Sequence, residues 1–249
     1  MIKARRYLYA SRWNWWASNS LPSTIATFNS LTGTNLASIQ SMFNSLNAAG
    51  LWDKITDIYP FVGSTEVSQS INLRNPGVNS IAFKPGGTYG AGGMTPSGAL
   101  SDRDMVSVPP LMVGGNRSFS FGAYYSTTVL GANATSIRLT DGNGIFHVFT
   151  DGIVYLELFG GNQGLGFALG GSKMVSGSTG SGIQTFYRSG VSVASGPVFG
   201  SNGSTGIAAS IGSGNLSTFS VVFFGYELTA SEQASMFSIC DAFNTAMGR

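Results

Sequence analysis

Between residues 136 and 159 the chain alternates short runs of β-branched and aromatic residues with pairs that turn it back. Residues 137–140, 145–150 and 153–159 read as strands, and Asp141-Gly142-Asn143-Gly144 and Asp151-Gly152 read as the joints between them. Asp-Gly and Asn-Gly accept positive φ at low steric cost, and the primed turns they form match the right-handed twist of paired strands. The pattern predicts an antiparallel meander at the centre of a β domain.

Two stretches carry helical spacing instead. Over 35–49, Leu36, Ile39, Phe43 and Leu46 recur every three or four positions, Thr34 can cap the start, and Gly50 sits where a C′ glycine belongs. Near the other end, Thr229-Ala230-Ser231-Glu232 is a capping box opening a helix with Met236, Cys240, Phe243 and Met247 on one face. Residues 57–63 read as a first strand with proline at its edge. The segment 64–110 reads as loop-rich, with brief strand-like pieces at 70–73 and 80–83 between Gly and Pro clusters. Gly90-Ala91-Gly92-Gly93 opens no helix and has no Lys-Ser/Thr sequel, so it is not a nucleotide loop. Phe119, Phe121, Ala123 and Tyr125 alternate with Ser118, Ser120, Gly122 and Tyr124, as in a strand with one buried face. Further strands are predicted at 165–169, 183–188 and 191–194, the last two joined at Ser189-Gly190. Over 219–226 apolar side chains fall on both faces, which predicts a central strand.

Composition sharpens the picture. The 249 residues include 35 Gly, nearly twice the usual share, while 10% are charged where about 25% is typical. So little charge predicts a surface covered by neighbours, and hence a homo-oligomer, three-fold if it forms a fibre. Net charge is +2, but residues 1–20 hold Lys3, Arg5, Arg6 and Arg12 with no acid, and Trp13, Trp15 and Trp16 stand among them. Residues 1–33 therefore read as a basic-aromatic docking arm in which Arg5, Arg6, Arg12, Trp13, Trp15 and Trp16 engage a partner, and 34–249 as the folded domain. The alternative is an N-terminal strand packed on its own domain. Without a further basic groove, nucleic acid is not the expected partner. Cys240 stands alone, so no intrachain disulfide forms. Arg12 and Asn14 interrupt any secretory apolar run, and no segment reaches the ~18 apolar residues that span a membrane. Synthesis in a cytoplasm without membrane insertion is the expectation.

The order of pieces resembles concanavalin A-like, laminin-G-like jelly-roll sandwiches, particularly those of tailed-phage virion and tail proteins. Ser118-Phe119-Ser120-Phe121-Gly122 is similar to their opening strand. Phe186-Tyr187-Arg188-Ser189-Gly190-Val191 stands at their Tyr-x-Asn-Gly hairpin, with Ser189 where Asn is usual, and Phe224 to Glu232 at their closing strand and helix cap. Gly50-Leu51-Trp52-Asp53-Lys54, Ile58 to Gly63 and Ile71 to Pro76 resemble the entry segment of the phage versions. The likeness covers about residues 35–249 and implies a mainly β sandwich with an N-terminal and a C-terminal helix.

Some relatives of this fold cleave polysaccharides with a Glu-x-Asp-x-x-Glu pair. Here Glu66, Glu157, Glu227 and Glu232 show no such spacing, and a glycosidase needs two carboxyls about 5 to 9.5 Å apart, so a non-enzyme is expected. His147, between Ile145 and Phe149, reads as a structural histidine. Laminin-G-like domains sometimes bind calcium, for which Asp102, Asp104, Asp141 and Asn143 are candidates; turn chemistry and Arg103 account for them as well. Tyr124, Tyr155 and Tyr187 are candidates for stacking on sugar rings, with sheet packing as the alternative. The combined expectation is a phage virion protein of tail, fibre or baseplate, assembling with other virion proteins. The alternatives are a carbohydrate-binding, receptor-binding module that meets a host-surface glycan, and a capsid decoration or head-fibre protein.

Overall fold

A computed structural model describes residues 23–34, 37–78, 80–83, 85–96, 104–105, 118–127, 134–139, 145–148, 153–157, 167–168, 173–197, 209–213 and 217–249. Side chains at 104–105, 134–139, 145–148, 153–157, 167–168 and 209–213 are outside that description. The chain is an antiparallel β-sandwich with helices toward both ends.

The first sheet contains β1 (Ile55–Tyr59), β3 (Thr88–Gly90), β4 (Gly93–Thr95), β6 (Phe119–Thr127), β11 (Met174–Gly180), β12 (Ile183–Arg188), β13 (Val191–Pro197) and β15 (Thr218–Tyr226). Its order is β13-β12-β11-β6-β15-β4-β3, with β1 also paired to β15. The second contains β2 (Ile81–Ala82), β5 (Asp104–Met105), β7 (Ala134–Leu139), β8 (Ile145–Val148), β9 (Ile153–Glu157), β10 (Phe167–Ala168) and β14 (Ala209–Ser213), in the order β10-β9-β8-β7-β14-β5-β2. The expected meander is β7-β8-β9, with His147 opposite Thr135 and Tyr155; its turn residues lie outside the described residues.

β15 is the hub of the first sheet: it pairs with β6 along most of its length, with β4 at Phe219 and with β1 from Val222 to Gly225. Burial on both faces explains its unbroken apolar run. The expectation of one buried face for β6 is corrected, since both rows of its side chains are covered from Phe119 to Tyr125. Lying between β11 and β15 with helices on one face, it has no solvent side. Gly122 is the place where this sheet leaves room for a ring: a Cβ there would collide with Phe223 and with Ser176. The Ser189-Gly190 turn forms as expected, with φ of 47° and 79°, so Ser189 takes the left-handed conformation that Asn adopts more readily.

Three helices form the layer over that face. α1 (Ser23–Thr32) buries Ile25 and Phe28, and α2 (Ala37–Ala48) buries Ile39, Met42 and Leu46. α4 (Ala230–Ala246), which packs on α2, buries Met236, Cys240 and Phe243. These side chains share one core with Tyr124, Met174, Val221 and Phe223 of the sheet. α1 corrects the boundary of the expected arm, because its residues 23–32 belong to the folded core; the arm candidates Arg5, Arg6, Arg12, Trp13, Trp15 and Trp16 lie outside the described residues. A short helix, α3 (Glu66–Gln69), replaces part of the expected loop, and residues 70–73 run irregularly instead of forming a strand.

α4 is fixed by polar contacts as much as by its apolar face. The capping box forms: Thr229 Oγ1 accepts from the Glu232 amide and Glu232 Oε2 from the Thr229 amide. Lys54 Nζ reaches the same carboxylate at 2.7 Å. Buried Ser176 donates to Gln233 Oε1 at 2.7 Å. The Leu228 amide donates to Ser120 Oγ, which donates in turn to Ser178. Asp241 accepts from Lys173 Nζ and from the Tyr124 hydroxyl. The chain's last described residue, Arg249, lays its guanidinium on the carbonyls of Pro60, Phe61 and Ala91. Burial lowers its pKa to about 10, which still leaves it cationic at neutral pH.

Asp241 makes a pH prediction. The Lys173 bond, then the Tyr124 bond, hold its carboxyl below the ordinary value against an opposing burial effect. A depressed folded pKa contributes stability above the unfolded value near 3.9, and that contribution is lost as pH falls through the depressed one. Denaturant unfolding at neutral and acid pH should show a steeper loss for the native chain than for Asp241→Asn. Equal losses would mean that the carboxylate contributes nothing.

Candidate functional site

A shallow, solvent-open cleft of about 230 Å³ lies beside the first turn of α1, lined by Ser23, Thr24, Thr27, Arg74, Asn75, Pro76 and Val78. Two segments build it. Helical spacing brings Thr27 one turn beyond Ser23 and Thr24 on the same side of α1. The opposite wall is the turn at 74–78, where the Val78 amide donates to Asn75 O and Gly77 takes φ 86°.

What aims Arg74 is a chain of local causes. Gly50 (φ 68°) ends α2 with its amide on Asn47 O and the Leu51 amide on Leu46 O, a Schellman closure that reverses the chain. Trp52 is thereby seated with its ring edge-on to Phe43, 4.7 Å between centroids. The Arg74 guanidinium lies over the indole at 4.6 Å. From below, fully buried Asn72 accepts from the amides of Ile58 (3.1 Å) and Arg74 (2.9 Å) and donates to buried Asp57 at 2.6 Å. Leu73 donates to Ile58 O at 2.8 Å, so residues 72–74 are tied to β1 before Arg74 reaches the cleft.

Asp53 stands 3.6 Å from Arg74, but its side chain is 94% exposed, and such a pair gains little. The guanidinium keeps planar N–H donors, two of which can bind the two oxygens of one incoming carboxylate. Asn75 adds both a donor and an acceptor, the α1 hydroxyls add three groups that do either, and Pro76 and Val78 form an apolar border. This set suits a hydroxylated, anionic ligand.

The sugar-stacking candidates stand elsewhere. Tyr124 is buried, its ring stacked on Phe237 at 6.2 Å and its hydroxyl on Asp241. Burial foremost, with Asp241 adding to it, raises its pKa. Tyr187 is also buried, with its pKa raised chiefly for the same reason. Neither presents a ring face to a sugar, which corrects that expectation; packing covers both rows of side chains in β6 around Tyr124 and covers Tyr187 itself in β12. Tyr155 is placed on β9 opposite His147 by backbone pairing. Asp104 lies on β5, opposite Ala82 and Ser210; Asp102, Asp141 and Asn143 lie outside the described residues. No group of three or more acidic, His or Cys side chains that could hold a metal ion occurs among the described residues.

Of the described carboxylates, Glu232 accepts from Lys54 and Glu227 from Ser118. The Cys240 thiol is fully buried and its pKa is raised by that burial, so it is not a ready nucleophile. No described helix is long and apolar enough to cross a membrane.

No family model and no curated protein matches the sequence. Solved structures do match. The chain is similar to Trypanosoma rangeli sialidase in complex with 2,3-difluorosialic acid, at 10% identity and TM-score 0.57 over 81% of this chain and 38% of that one. It is similar to botulinum neurotoxin type C, whose cell entry depends on interaction with two ganglioside molecules, at 11% identity and TM-score 0.54 over 78% and 53%. It is also similar to the binding domain of botulinum neurotoxin serotype D, at 10% identity and TM-score 0.51 over 75% and 52%. This chain spans well under two thirds of each, and at these identities the likeness is one of fold.

Proposed function

We propose that the protein is a carbohydrate-binding module whose cleft between α1 and the 74–78 turn takes an acidic sugar of a host-surface glycan. The observation that carries this reading is Arg74, stacked on Trp52 and, among the described residues, paired with an exposed carboxylate, at the rim of a cleft lined by hydroxyls and an amide. The fold supports it, since proteins with similar folds include a sialic-acid-processing enzyme and a ganglioside-dependent toxin. A glycan array with the full chain should favour carboxylate-bearing sugars over neutral ones. Arg74→Ala should weaken the best ligand by about tenfold or more, the loss of one charge-assisted bond of about 1.5–3 kcal/mol. Arg74→Lys, which keeps the charge but not the planar fork, should fall between. A silent array, or equal binding by Arg74→Ala, would overturn the reading.

A second reading, a structural protein of a phage virion, is favoured by the low charge and by the basic-aromatic arm. In it Trp13, Trp15 and Trp16 with Arg5, Arg6 and Arg12 dock to a neighbouring virion protein. Copies lacking residues 1–20 should then retain glycan binding while being excluded from assembled particles, which separates the two roles.

A further inference from the structure

A sugar carboxylate and its hydroxyls account for Arg74 and for Ser23, Thr24 and Thr27, but not for the rest of the cleft's rim. Pro76 and Val78 also line it, and Val78 is 60% exposed. Leu31, 44% exposed, continues the same apolar ledge, its Cδ1 lying 3.9 Å from the Cβ position of Gly77. Of the six large apolar side chains left exposed among the described residues, two therefore meet at this one turn. Single exposed apolar residues need no explanation, whereas apolar surface set among polar groups is the pattern of a ligand contact.

The turn also fixes the order of its groups. The Val78 amide donates to Asn75 O at 3.0 Å, closing a four-residue turn whose ends stand within about 7 Å of each other. Asn75 is exposed, and its side-chain amide makes no bond within the described residues. Arg74 is held at the head of the turn by Trp52 and Asn72. Along one short span the protein thus offers a guanidinium, a free amide and an isopropyl group, with no aromatic ring among the described lining residues. A plain uronic acid carries a carboxylate and hydroxyls and leaves the isopropyl group idle. An acylamino substituent supplies what is missing: its N–H and C=O can both bond a primary amide, and its methyl can cover Val78. An aromatic substituent would find no ring to stack on.

We infer that the cleft selects N-acylated acidic sugars, with the Arg74 fork on the carboxylate, the Asn75 amide on the acylamino group and Val78 under its methyl. This rests on the cleft being the acidic-sugar site proposed above, and narrows that site to one substituent.

Isothermal titration of the full chain with matched pairs is the test: N-acetylgalactosaminuronic acid against galacturonic acid, and N-acetylneuraminic acid against the nononic acid that has a hydroxyl in place of its acetamido group. The N-acetyl member of each pair should bind about tenfold tighter, from one buried methyl and one amide hydrogen bond. Saturation transferred from protein to ligand should be strongest at the acetyl methyl protons. Val78→Ser, at an exposed position, should fold normally and lower the N-acetyl affinity by about threefold or more while leaving the N-free partner's unchanged. Arg74→Ala should weaken both members of a pair alike. Pairs that bind equally, or a preference that survives Val78→Ser and Asn75→Ala, would refute acyl selection yet leave an acidic-sugar site standing. No binding by any of the four acids would instead remove that site, and this inference with it.

Discussion

Truncation before Thr229 should leave no cooperatively folded domain. α4 supplies Met236, Cys240 and Phe243 to the core shared with α1, α2 and the sheet, and its amide-bearing Gln233 is buried against Ser176. Burying a large apolar side chain stabilises by about 1.5–3 kcal/mol, so losing three, with the sheet face they cover, approaches the whole stability of a domain at about 5–15 kcal/mol. Removal would also strip the partners of Ser176, Lys54 and Lys173. The test is the near-ultraviolet circular dichroism and thermal melt of residues 1–228. A truncated chain that melts as the full one does would make α4 an appendage.

The second large effect concerns backbone, not side chain. A Cβ on Gly225 would overlap the Lys54 carbonyl oxygen and stand 3.0 Å from Ile55 Cα. Both belong to the chain entering β1, which pairs there with β15, so no flexible side chain can move aside. Gly225→Ala must therefore push β1 off the hub strand and disturb Asn72 and Leu73 behind it. Overpacking of this kind costs about 1–3 kcal/mol, or a fall in Tm of roughly 2–12 °C for a chain this size. Gly90→Ala is the control, because nothing lies within 4 Å of its Cβ position. Similar melts for the two variants would show that close approach at Gly225 carries no weight.

Legibility in the sequence followed the strength of local signals. β15 announced itself through apolar residues on both faces, α4 through its capping box, and the β12–β13 turn through Ser189-Gly190. α1 did not: Ser, Thr and Asn make up most of Ser-Thr-Ile-Ala-Thr-Phe-Asn-Ser-Leu-Thr, residues whose side chains compete with the helix for backbone bonds. Its helicity comes from burying Ile25 and Phe28, which is a tertiary cause. β11 was hidden for a different reason. Ser176, Gly177, Ser178 and Thr179 carry no β-branched apolar run, because Gln233 and the backbone at Leu228 bond to its serines and the Phe223 ring fills the space beside Ser176. The cleft was illegible because its two walls are far apart in the chain and neither is a motif alone. The one available hint was a basic residue before Asn75-Pro76-Gly77 in a chain so poor in charge.

The hub position of β15 sets the order in which this protein can be made. Every other strand precedes it, yet β6 and β1 both need it as a neighbour. At about 5–20 residues per second on a ribosome, β6 waits roughly 5–20 s for its partner, with Phe119, Phe121 and Tyr125 exposed meanwhile. Closure also joins Ile55 to Gly225 across about two thirds of the chain, the non-local pairing that slows folding. The nascent chain therefore cannot fold progressively from its N-terminus. Until β15 emerges, the edges of β1 and β6 that it will fill stay open.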